Sequence, residues 1–446
     1  MNSQTKLSSE QEAAIEIIES GQNVFLTGKA GSGKSTIIQE FLRRTNRNFI
    51  CVAPTGVAAR NVGGTTVHGA FGLPTGLLTP DTITNASLKV GQIEVLRTVD
   101  TVVIDEISMV RSDLLWGMDI ILRELAPPEM KHFPFGGKQV VAVGDFFQLP
   151  PVVADRNIEL RYLNENHGGI FAFNTDAWKH ANFIKMILKE FHRQDQYDAL
   201  IEIAEYIRSR SSVDRRAQKH LEILNQRFTG TKYVNEPGCV SLCALKRDAR
   251  MINDLRTGEL DDPGFISQAT LNGRFPQGEF PTDYFLTVKK GQRVMLLKNK
   301  VNSADEGFKY VNGDTGTVVG YKVGESPKVS VILDRGGEVV VGFEAWDYDE
   351  YCVFDSGNGE QAIMTKTVGR FHQLPLVANY GITVHKSQGR TLKRAHFIPA
   401  HYGCYTPGLL YTALTRVRSL NDLTISDRIH DFEALSDSAV LQFYNA

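Results

Sequence analysis

The chain has 446 residues, with 49 lysines and arginines against 51 aspartates and glutamates and a formal net charge of −2 at pH 7. Hydrophobic residues make up 42% and charged residues 22% of it, which excludes a disordered chain and predicts a folded protein of several domains. Because the charges nearly cancel, no global positive field attracts a polyanion, and any nucleic acid would bind in a local groove.

The five cysteines include no C-x-x-C pair, which argues against a disulfide framework and against a zinc or iron–sulfur site. The N-terminal residues are polar and acidic, and no stretch reaches the roughly 18 apolar residues of a membrane span. We therefore expect a protein of the reducing cytoplasm that is neither secreted nor anchored in a membrane.

Short β-rich runs alternate with helical patterns in the first part of the chain, and a helix over 34–44 follows the first run directly. The runs lie at 23–28, 49–54, 101–106 and 139–145. Such alternation predicts an α/β fold with a parallel sheet and helices on both faces. The Pro- and Gly-rich run at 73–85 indicates an exposed excursion from this domain.

The residues GKAGSGKS at 28–35 match G-x-x-x-x-G-K-[ST] between a hydrophobic strand and an amphipathic helix, which is the context of a P-loop. Backbone N–H groups of such a loop surround a phosphate, Lys34 would reach the β- and γ-phosphates, and Ser35 would bind Mg²⁺. We therefore predict ATP and Mg²⁺ as ligands. The predicted nucleotide contacts in this segment are Gly28, Lys29, Ala30, Gly31, Ser32, Gly33, Lys34, Ser35 and Thr36.

Acidic and amide side chains follow the next two strands of this predicted sheet. Asp105 and Glu106 end the run TVVIDE, so that Asp105 would hold Mg²⁺ and Glu106 would deprotonate the attacking water. Gln148 lies just after the run QVVAVGD, where it would sense the γ-phosphate or would simply be a solvated loop residue.

The α/β pattern resumes later in the chain and is interrupted there by a segment with a different sequence pattern. The later runs lie at 239–245, 382–387, 394–400 and 423–427. Between about 287 and 347 short strands with Gly-rich turns predict a small antiparallel barrel, including a hairpin around Gly336 and Gly337. These patterns predict a second α/β unit with an inserted barrel.

Taken in order, these motifs resemble superfamily 1 helicases, and three of them most resemble the petite-integration-frequency (Pif) DNA helicases of bacterial type. The three are DEISMVRSDLLWGMD, GDFFQLPPV and HKSQGRT, and the resemblance covers about residues 7–420. His192 and Arg210 depart from the family pattern, which places an aromatic residue and a glycine there. These departures affect only the expected packing after Arg193.

The resemblance implies two RecA-like parallel-sheet domains with a small inserted antiparallel β-barrel of SH3-like type. The first domain would cover 1–178, with an excursion at about 60–85. The second would be split into 179–286 and 351–446, with the barrel at 287–350 between the two parts. ATP would bind between the RecA-like domains, with single-stranded DNA across them.

The resemblance also implies an ATP- and Mg²⁺-dependent helicase that moves 5′ to 3′ on DNA. Such an enzyme would unwind duplexes, and also G-quadruplexes, at single-strand/double-strand junctions in replication, recombination, repair or telomere maintenance. By position, Gln11 would read adenine, Arg193 and Arg416 would face the γ-phosphate, and Gly389 would lie near the nucleotide. We expect a monomeric enzyme of a bacterium or phage, associated with the nucleoid.

DNA contacts are predicted where strand ends carry hydroxyl, imidazole, aromatic or cationic groups. A lone histidine is usually structural, and Phe71 is equally consistent with a place in the core. A purely structural role therefore remains the alternative for the candidates in both units. The basic run at 289–299 is likewise either a solvated face or a DNA contact. The candidates are Thr55, His68, Phe71, Thr383, His385 and Lys386.

Two other classes of function remain as alternatives. A P-loop enzyme that needs no nucleic acid would explain 28–35 and 105–106 but not the later motifs ITVHKSQG and YTALTR. A nuclease-complex subunit of the RecD type would share the helicase motifs but depend on partners. DNA-stimulated ATP hydrolysis by the purified chain separates the nucleic-acid-independent class from the helicases.

Overall fold

A computed structural model describes most of the chain. The described residues are 7–29, 31–55, 58–59, 62–84, 88–155, 157–189, 199–210, 218–234, 236, 239–275, 277, 280–301, 308–355, 361–400 and 406–445. Within these ranges, none of the helices is long and apolar enough to cross a membrane.

The described helices are mostly short. In chain order they are α1 (Ser9–Glu19), α2 (Lys34–Arg44), α3 (Val67–Phe71), α4 (Pro80–Thr84), α5 (Val90–Thr98), α6 (Ser112–Leu125), α7 (Glu159–His167), α8 (Asp176–His180), α9 (Ala199–Arg208), α10 (Gln218–Asn225), α11 (Lys246–Gly258), α12 (Leu409–Leu414) and α13 (Ser438–Asn445).

The described strands fall into a parallel group and an antiparallel group. In chain order they are β1 (Val24–Gly28), β2 (Phe49–Ala53), β3 (Thr65–Thr66), β4 (Thr101–Ile104), β5 (Gln139–Val143), β6 (Ile184–Leu188), β7 (Cys239–Cys243), β8 (Phe265–Gln268), β9 (Thr270–Gly273), β10 (Phe285–Val288), β11 (Arg293–Leu296), β12 (Lys300–Val301), β13 (Phe308–Tyr310), β14 (Thr315–Lys322), β15 (Lys328–Leu333), β16 (Glu338–Val341), β17 (Glu344–Asp355), β18 (Gln361–Gln373), β19 (Leu376–Ala378), β20 (Gly381–Thr383), β21 (Arg394–Ile398) and β22 (Leu423–Ile425).

The chain divides into two compact units. The first contains 1–230, 388–393 and 401–446, and the second contains 231–387 and 394–400. This division by proximity does not test the four domain bounds predicted from the sequence, which remain predictions.

A parallel sheet forms the centre of the first unit, with the strand order β3-β2-β4-β5-β1-β6 among the described residues. Every residue of β1, β4 and β5 is buried, which explains why these strands are continuous apolar runs. Because the strands are parallel, their carboxyl ends lie along one edge of the sheet. The P-loop, Asp105 and the segment before Gln148 all start at that edge.

Helices α1 and α2 pack on this sheet and support the P-loop. Ile15 and Ile18 of α1 and Ile37 and Phe41 of α2 are fully buried, in one cluster with Leu26 of β1. The first helical turn after the P-loop is therefore anchored in the core.

The second unit combines a parallel and an antiparallel part. Strands β20, β7 and β21 pair in parallel in that order. An antiparallel sheet has the order β16-β15-β14-β11-β19, and a second one pairs the long strands β17 and β18 and adds β9. The apolar cluster of the five-stranded sheet, which includes Leu296 and Val331, is buried.

The structure confirms the α/β class with an antiparallel insertion, the helix over 34–44 and the hairpin at Gly336 and Gly337. Two details of the sequence prediction are wrong. The strand expected at 382–387 ends at Thr383 and is followed by a 3-10 helix, His385–Ser387. The run at 73–85 is not exposed throughout, because Leu77 and Leu78 in its described part are almost fully buried.

Candidate functional site

The P-loop connects β1 to α2 through glycines with positive φ angles. Gly31 and Gly33 have φ values of 86° and 84°, a conformation that residues other than glycine rarely adopt. Gly33 is the N-cap of α2 and offers no side chain, so the first backbone N–H groups of this helix remain available to an anion. The local geometry is that of a phosphate-binding loop.

The side chain of Lys34 folds back over this loop. Its ammonium donates hydrogen bonds to the carbonyl oxygens of Gly28 and Lys29, at 2.8 and 2.9 Å. Burial lowers the pKa of Lys34, while the carboxylates of Asp145 and Glu106 favour its charged form. A phosphate in the loop would meet this ammonium.

A cavity of about 420 Å³ lies in front of the P-loop in the first unit. It brings together most of the residues predicted to handle the nucleotide. Its lining consists of Gly31, Gly33, Lys34, Ser35, Thr36, Ala58, Asp105, Glu106, Gly144, Asp145, Gln148, Gly389, Arg390, Thr391, Thr415 and Arg416.

Asp105 and Glu106 follow β4 directly and border the cavity. Glu106 has φ 53° and ψ 46°, a left-handed conformation that costs a residue with a side chain roughly 1–2 kcal/mol. Strain of this kind is typical of functional sites. Burial raises the pKa of Asp105, and the neighbouring Glu106 carboxylate adds to this rise. A Cβ atom at Gly389 would lie 3.6 Å from Oε1 of Glu106, so that this glycine borders the carboxylate.

Gln148 is buried at the cavity, and its side-chain oxygen has no hydrogen-bond partner in the described part of the chain. A buried carbonyl oxygen without a hydrogen bond lowers the stability of the folded state. A hydrogen-bond donor other than the described residues should therefore pair with this atom. A water molecule or a nucleotide in the cavity would supply one.

Arg416 also lines the cavity and is buried. Its Nε donates to the carbonyl oxygen of Thr412 at 2.9 Å, Nη1 to that of Arg390 at 3.2 Å, and Nη2 to Oγ1 of Thr415 at 2.8 Å. The guanidinium is therefore held in one orientation at the cavity.

Two of the predicted nucleotide contacts use their side chains elsewhere in this structure. Gln11 and Ser8 form a reciprocal capping box at the start of α1, in which Oε1 of Gln11 accepts from the Ser8 N–H at 3.0 Å. Lys29 pairs with Glu205 of α9, with 2.6 Å between Nζ and Oε2. Neither side chain lines the cavity.

Besides Gly28, whose carbonyl oxygen accepts from the Lys34 ammonium, three predicted nucleotide residues remain. The Oγ atom of Ser32 is buried and has no hydrogen-bond partner within the described ranges. Ala30 and Arg193 lie outside the described residues, so their predicted roles remain predictions.

The DNA contacts predicted in the first unit are engaged with the protein. Oγ1 of Thr55 accepts from the N–H of Ala58 at 3.3 Å. Nδ1 of His68 lies 3.2 Å from the carbonyl oxygen of Leu73, and burial lowers the pKa of this imidazole. Phe71 is fully buried, so its ring faces the core and does not offer a surface for base stacking in this conformation.

The DNA contacts predicted in the second unit lie close to one another in the chain. Thr383 ends β20, and its hydroxyl accepts from the N–H of Lys386 at 3.3 Å. His385 is half-buried, and burial lowers the pKa of its imidazole. Thr383 and the exposed Lys386 line a cavity of about 910 Å³ within this unit.

That second-unit cavity combines cationic and aromatic side chains. Its acidic residues Asp254 and Asp283 lie 3.9 and 3.2 Å from the Arg250 guanidinium. Cations beside aromatic rings are the combination found in proteins that bind single-stranded nucleic acids. The cations are Lys246, Arg250, Lys289 and Lys386, and the rings belong to Phe280, Tyr284 and Phe285.

Sequence reasoning missed three residues that surround the turn before Gln148. Asp145 could have been noticed, because it lies two residues after β5 at the same edge of the sheet where Asp105 follows β4. Tyr411 and Arg208 carry no comparable signal, and only the folded chain brings them to Asp145.

Comparison with known proteins agrees with this geometry. A family model described as PIF1-like helicase matches residues 6–209. The ATP-dependent DNA helicase Pif1 of Bdellovibrio bacteriovorus is 31% identical over 98% of this chain and 92% of its own length. The ATP-dependent DNA helicase PIF1 of Homo sapiens is 30% identical, and this chain spans 63% of the human protein.

Solved structures of helicases match nearly the whole chain. Pif1 helicase from Bacteroides in complex with ADP-AlF3 and ssDNA aligns with a TM-score of 0.83 at 30% identity, covering 99% of this chain and 97% of that one. Pif1 helicase from Candida albicans aligns with a TM-score of 0.75 at 26% identity, covering 99% of both chains.

These matches confirm the expected pair of RecA-like domains with an antiparallel insertion, and they confirm the expected enzyme class, an ATP-dependent DNA helicase. A P-loop enzyme without a nucleic-acid partner does not account for them. By its sequence and by its fold, the chain belongs to the PIF1-like helicase family.

Proposed function

We propose that the chain hydrolyses ATP in the cavity of the first unit and uses this reaction to move 5′ to 3′ along single-stranded DNA, unwinding the duplex ahead of it. The main support is the convergence of Lys34, Glu106, Gln148 and Arg416 on one cavity. The Bacteroides relative, solved with ADP-AlF3 and ssDNA, supports a nucleotide and single-stranded DNA as the two ligands.

The phosphates of ATP would bind along the P-loop. Backbone N–H groups at the start of α2 would donate to phosphate oxygens, and the Lys34 ammonium would exchange its carbonyl partners for the β- and γ-phosphates. Gln11 would read adenine if its side chain exchanged the capping contact with Ser8 for the base. Gly389 would keep room beside the γ-phosphate.

The cavity also fits a magnesium ion. Ser35 and Asp105 both line it and offer oxygen ligands of the kind that Mg²⁺ prefers. Two adjacent carboxylates, with Asp105 buried, make a negative site that a divalent cation would neutralise. When bound, the ion would offset phosphate charge, and Ser35 and Asp105 would hold it.

The hydrolytic step would use further side chains around the γ-phosphate. Glu106, which borders the cavity, would orient the attacking water and accept its proton. Gln148 would contact the γ-phosphate or the water through its side-chain amide. Arg416, and Arg193 with it, would stabilise the negative charge that develops on the γ-phosphoryl group.

The DNA would contact both units. In the second unit, Lys246, Arg250 and Lys386 would follow the phosphates while the rings of Tyr284 and Phe285 offer stacking surfaces for bases. In the first unit Thr55 lies in the loop after β2, where its backbone and hydroxyl would meet a phosphate. Because phosphate contacts release counterions, binding should weaken as salt is raised.

Nucleotide and DNA sites on one chain give a motor if ATP favours one arrangement of the DNA contacts and its hydrolysis favours another. The 5′-to-3′ direction, action on G-quadruplexes, activity as a monomer and association with the nucleoid form the finer part of this proposal. They follow from the family resemblance of motifs such as GDFFQLPPV and HKSQGRT.

The direction is tested with partial duplexes that carry either a 5′ or a 3′ single-stranded tail. We expect ATP-dependent strand separation only with the 5′ tail, since the motor must load upstream of the duplex. Separation confined to the 3′-tailed substrate would contradict the proposed polarity. Unwinding by the purified chain alone would also exclude a RecD-type subunit that depends on partners.

A further inference from the structure

Asp145 takes no part in the proposed hydrolysis, although it lies at the cavity and is fully buried. Its carboxylate oxygen Oδ1 accepts from the N–H of Phe147 at 3.2 Å, and its carbonyl oxygen accepts from the N–H of Gln148 at 3.1 Å. Asp145 therefore organises the turn that presents Gln148 to the cavity.

Helix α12 holds this turn from one side at two points. The hydroxyl of Tyr411 donates to Oδ2 of Asp145 at 2.6 Å, and the hydroxyl of Thr412 accepts from the N–H of Leu149 at 2.9 Å. The two bonds flank Gln148. A side chain at Gly408 would collide with the Gln148 carbonyl, so the start of α12 also packs directly on the turn.

The same helix determines where Arg416 lies. Nε of Arg416 donates to the carbonyl oxygen of Thr412 at 2.9 Å, which fixes the guanidinium to the end of α12. The helix that holds the Gln148 turn therefore also positions the arginine at the cavity.

Arg208 approaches Asp145 from α9. Its Nη2 lies 3.5 Å from Oδ1 of Asp145, and its guanidinium lies 4.3 Å above the ring of Phe147. This contact supplies positive charge next to a fully buried carboxylate. Arg208 itself does not line the cavity.

We propose that Tyr411 and Arg208 are positioning residues for ATP hydrolysis, which act by clamping Asp145 so that Gln148 and Arg416 reach the γ-phosphoryl group together. The inference rests on the proposed function of the cavity. Removing the Tyr411 hydroxyl would leave a buried carboxylate oxygen unsatisfied and remove one of the two hydrogen bonds that hold the turn to α12, while the P-loop would remain intact.

The test compares Tyr411→Phe with Tyr321→Phe in the full-length chain. Tyr321 also donates its hydroxyl to an aspartate, Asp262 at 3.0 Å, but in the second unit, so both variants lose the same kind of bond. For Tyr411→Phe we expect the DNA-stimulated kcat to fall at least about tenfold, with the KM for ATP within about twofold of wild type. Tyr321→Phe should keep the wild-type kcat, and an unchanged kcat in Tyr411→Phe overturns the proposal.

A double-mutant cycle separates positioning from a general loss of structure. If Tyr411 acts through the Gln148 turn, adding Tyr411→Phe to Gln148→Ala should lower kcat by much less than it does in the wild-type background. Multiplicative losses in the double variant would show that the two residues act independently and would contradict the clamp.

Two controls keep the outcomes distinguishable. If Tyr411→Phe does not fold, as judged by circular dichroism, Arg208→Gln, which removes the positive charge next to Asp145, is measured in its place, with the same expected fall in kcat. If DNA does not stimulate ATP hydrolysis by the wild-type chain, the proposed function itself is overturned. If DNA stimulates the wild type and the variants keep full activity, only the positioning role of Tyr411 and Arg208 is overturned.

Discussion

The side-chain hydroxyls of Tyr444 and Thr27 lie 2.6 Å apart. Thr27 precedes the P-loop in β1, and Tyr444 belongs to α13 at the C-terminal end of the described chain. Beside this contact the rings of Phe443 and Phe173 stack 4.3 Å apart. The C-terminal helix is thus fastened to the strand that carries the P-loop.

We expect Tyr444→Phe to lower the free energy of unfolding by about 1 kcal/mol, the net value of one buried hydrogen bond. Urea denaturation of wild type and variant measures this change. Thr27→Val should cost a similar amount, and the double variant should lose less than the sum because both changes remove the same bond. Additive losses would contradict the contact.

Glu106→Gln should bind ATP normally but hydrolyse it roughly 10²–10⁴-fold more slowly, because the amide cannot accept the proton of the attacking water. Stopped-flow nucleotide binding and steady-state hydrolysis in the presence of DNA measure the two effects separately. Glu124→Gln, which alters an exposed carboxylate on α6, is the matched control and should behave as wild type. Near-normal turnover in Glu106→Gln would remove this residue from the role of general base.

Arg416→Ala should reduce kcat by roughly 10³-fold or more with a smaller effect on ATP affinity, as for other arginines that stabilise a transferring phosphoryl group. The exposed Arg418, two residues further on, provides the control Arg418→Ala. Both variants are compared by hydrolysis rates and by the dissociation constant of a non-hydrolysable ATP analogue. A kcat equal to that of the control would contradict the assignment.

The buried imidazole of His68 should make the fold sensitive to acid. Burial lowers the pKa of His68 below its ordinary value of 6.5. The imidazole is therefore protonated more readily in the unfolded state than in the folded state. Its stabilising contribution is complete above about pH 6.5 and is lost as the pH falls below that value.

Urea denaturation at pH 7.5 and at pH 5.5 measures this effect. We expect His68→Gln to lose less stability between the two pH values than wild type does. The exposed His132 gives the control His132→Gln, whose loss should equal that of wild type. Equal losses in all three proteins would show that His68 does not take part in the acid response.

Much of the nucleotide site could be predicted from the sequence. Lys34, Asp105 and Glu106 each follow an apolar run with a recognisable motif, and parallel strands bring such positions to one edge of the sheet. Gln148 is likewise predicted from its place just after the run QVVAVGD. The arrival of Arg416 at the same cavity follows from no local pattern, and only the family resemblance predicts it.

Other parts of the site depend on packing that a local pattern does not encode. The sequence leaves open which face of a five-residue helix is covered, and the structure turns Phe71 of α3 fully into the core. The run at 73–85 has the composition of a loop, yet side-chain carbons of Leu73 and Leu78 lie against Gly117 of α6. Arg208 is one of 49 lysines and arginines, and only the fold places it over Phe147.

Coupling between the nucleotide and the DNA is tested best by the rate of ATP hydrolysis by the purified chain with and without a single-stranded oligonucleotide. We predict that the oligonucleotide raises kcat at least about tenfold, a change of about 1.4 kcal/mol in the barrier. Lys34→Ala should abolish this stimulated hydrolysis while it still binds the oligonucleotide. Hydrolysis by wild type at the same rate with and without DNA would contradict a DNA-coupled motor.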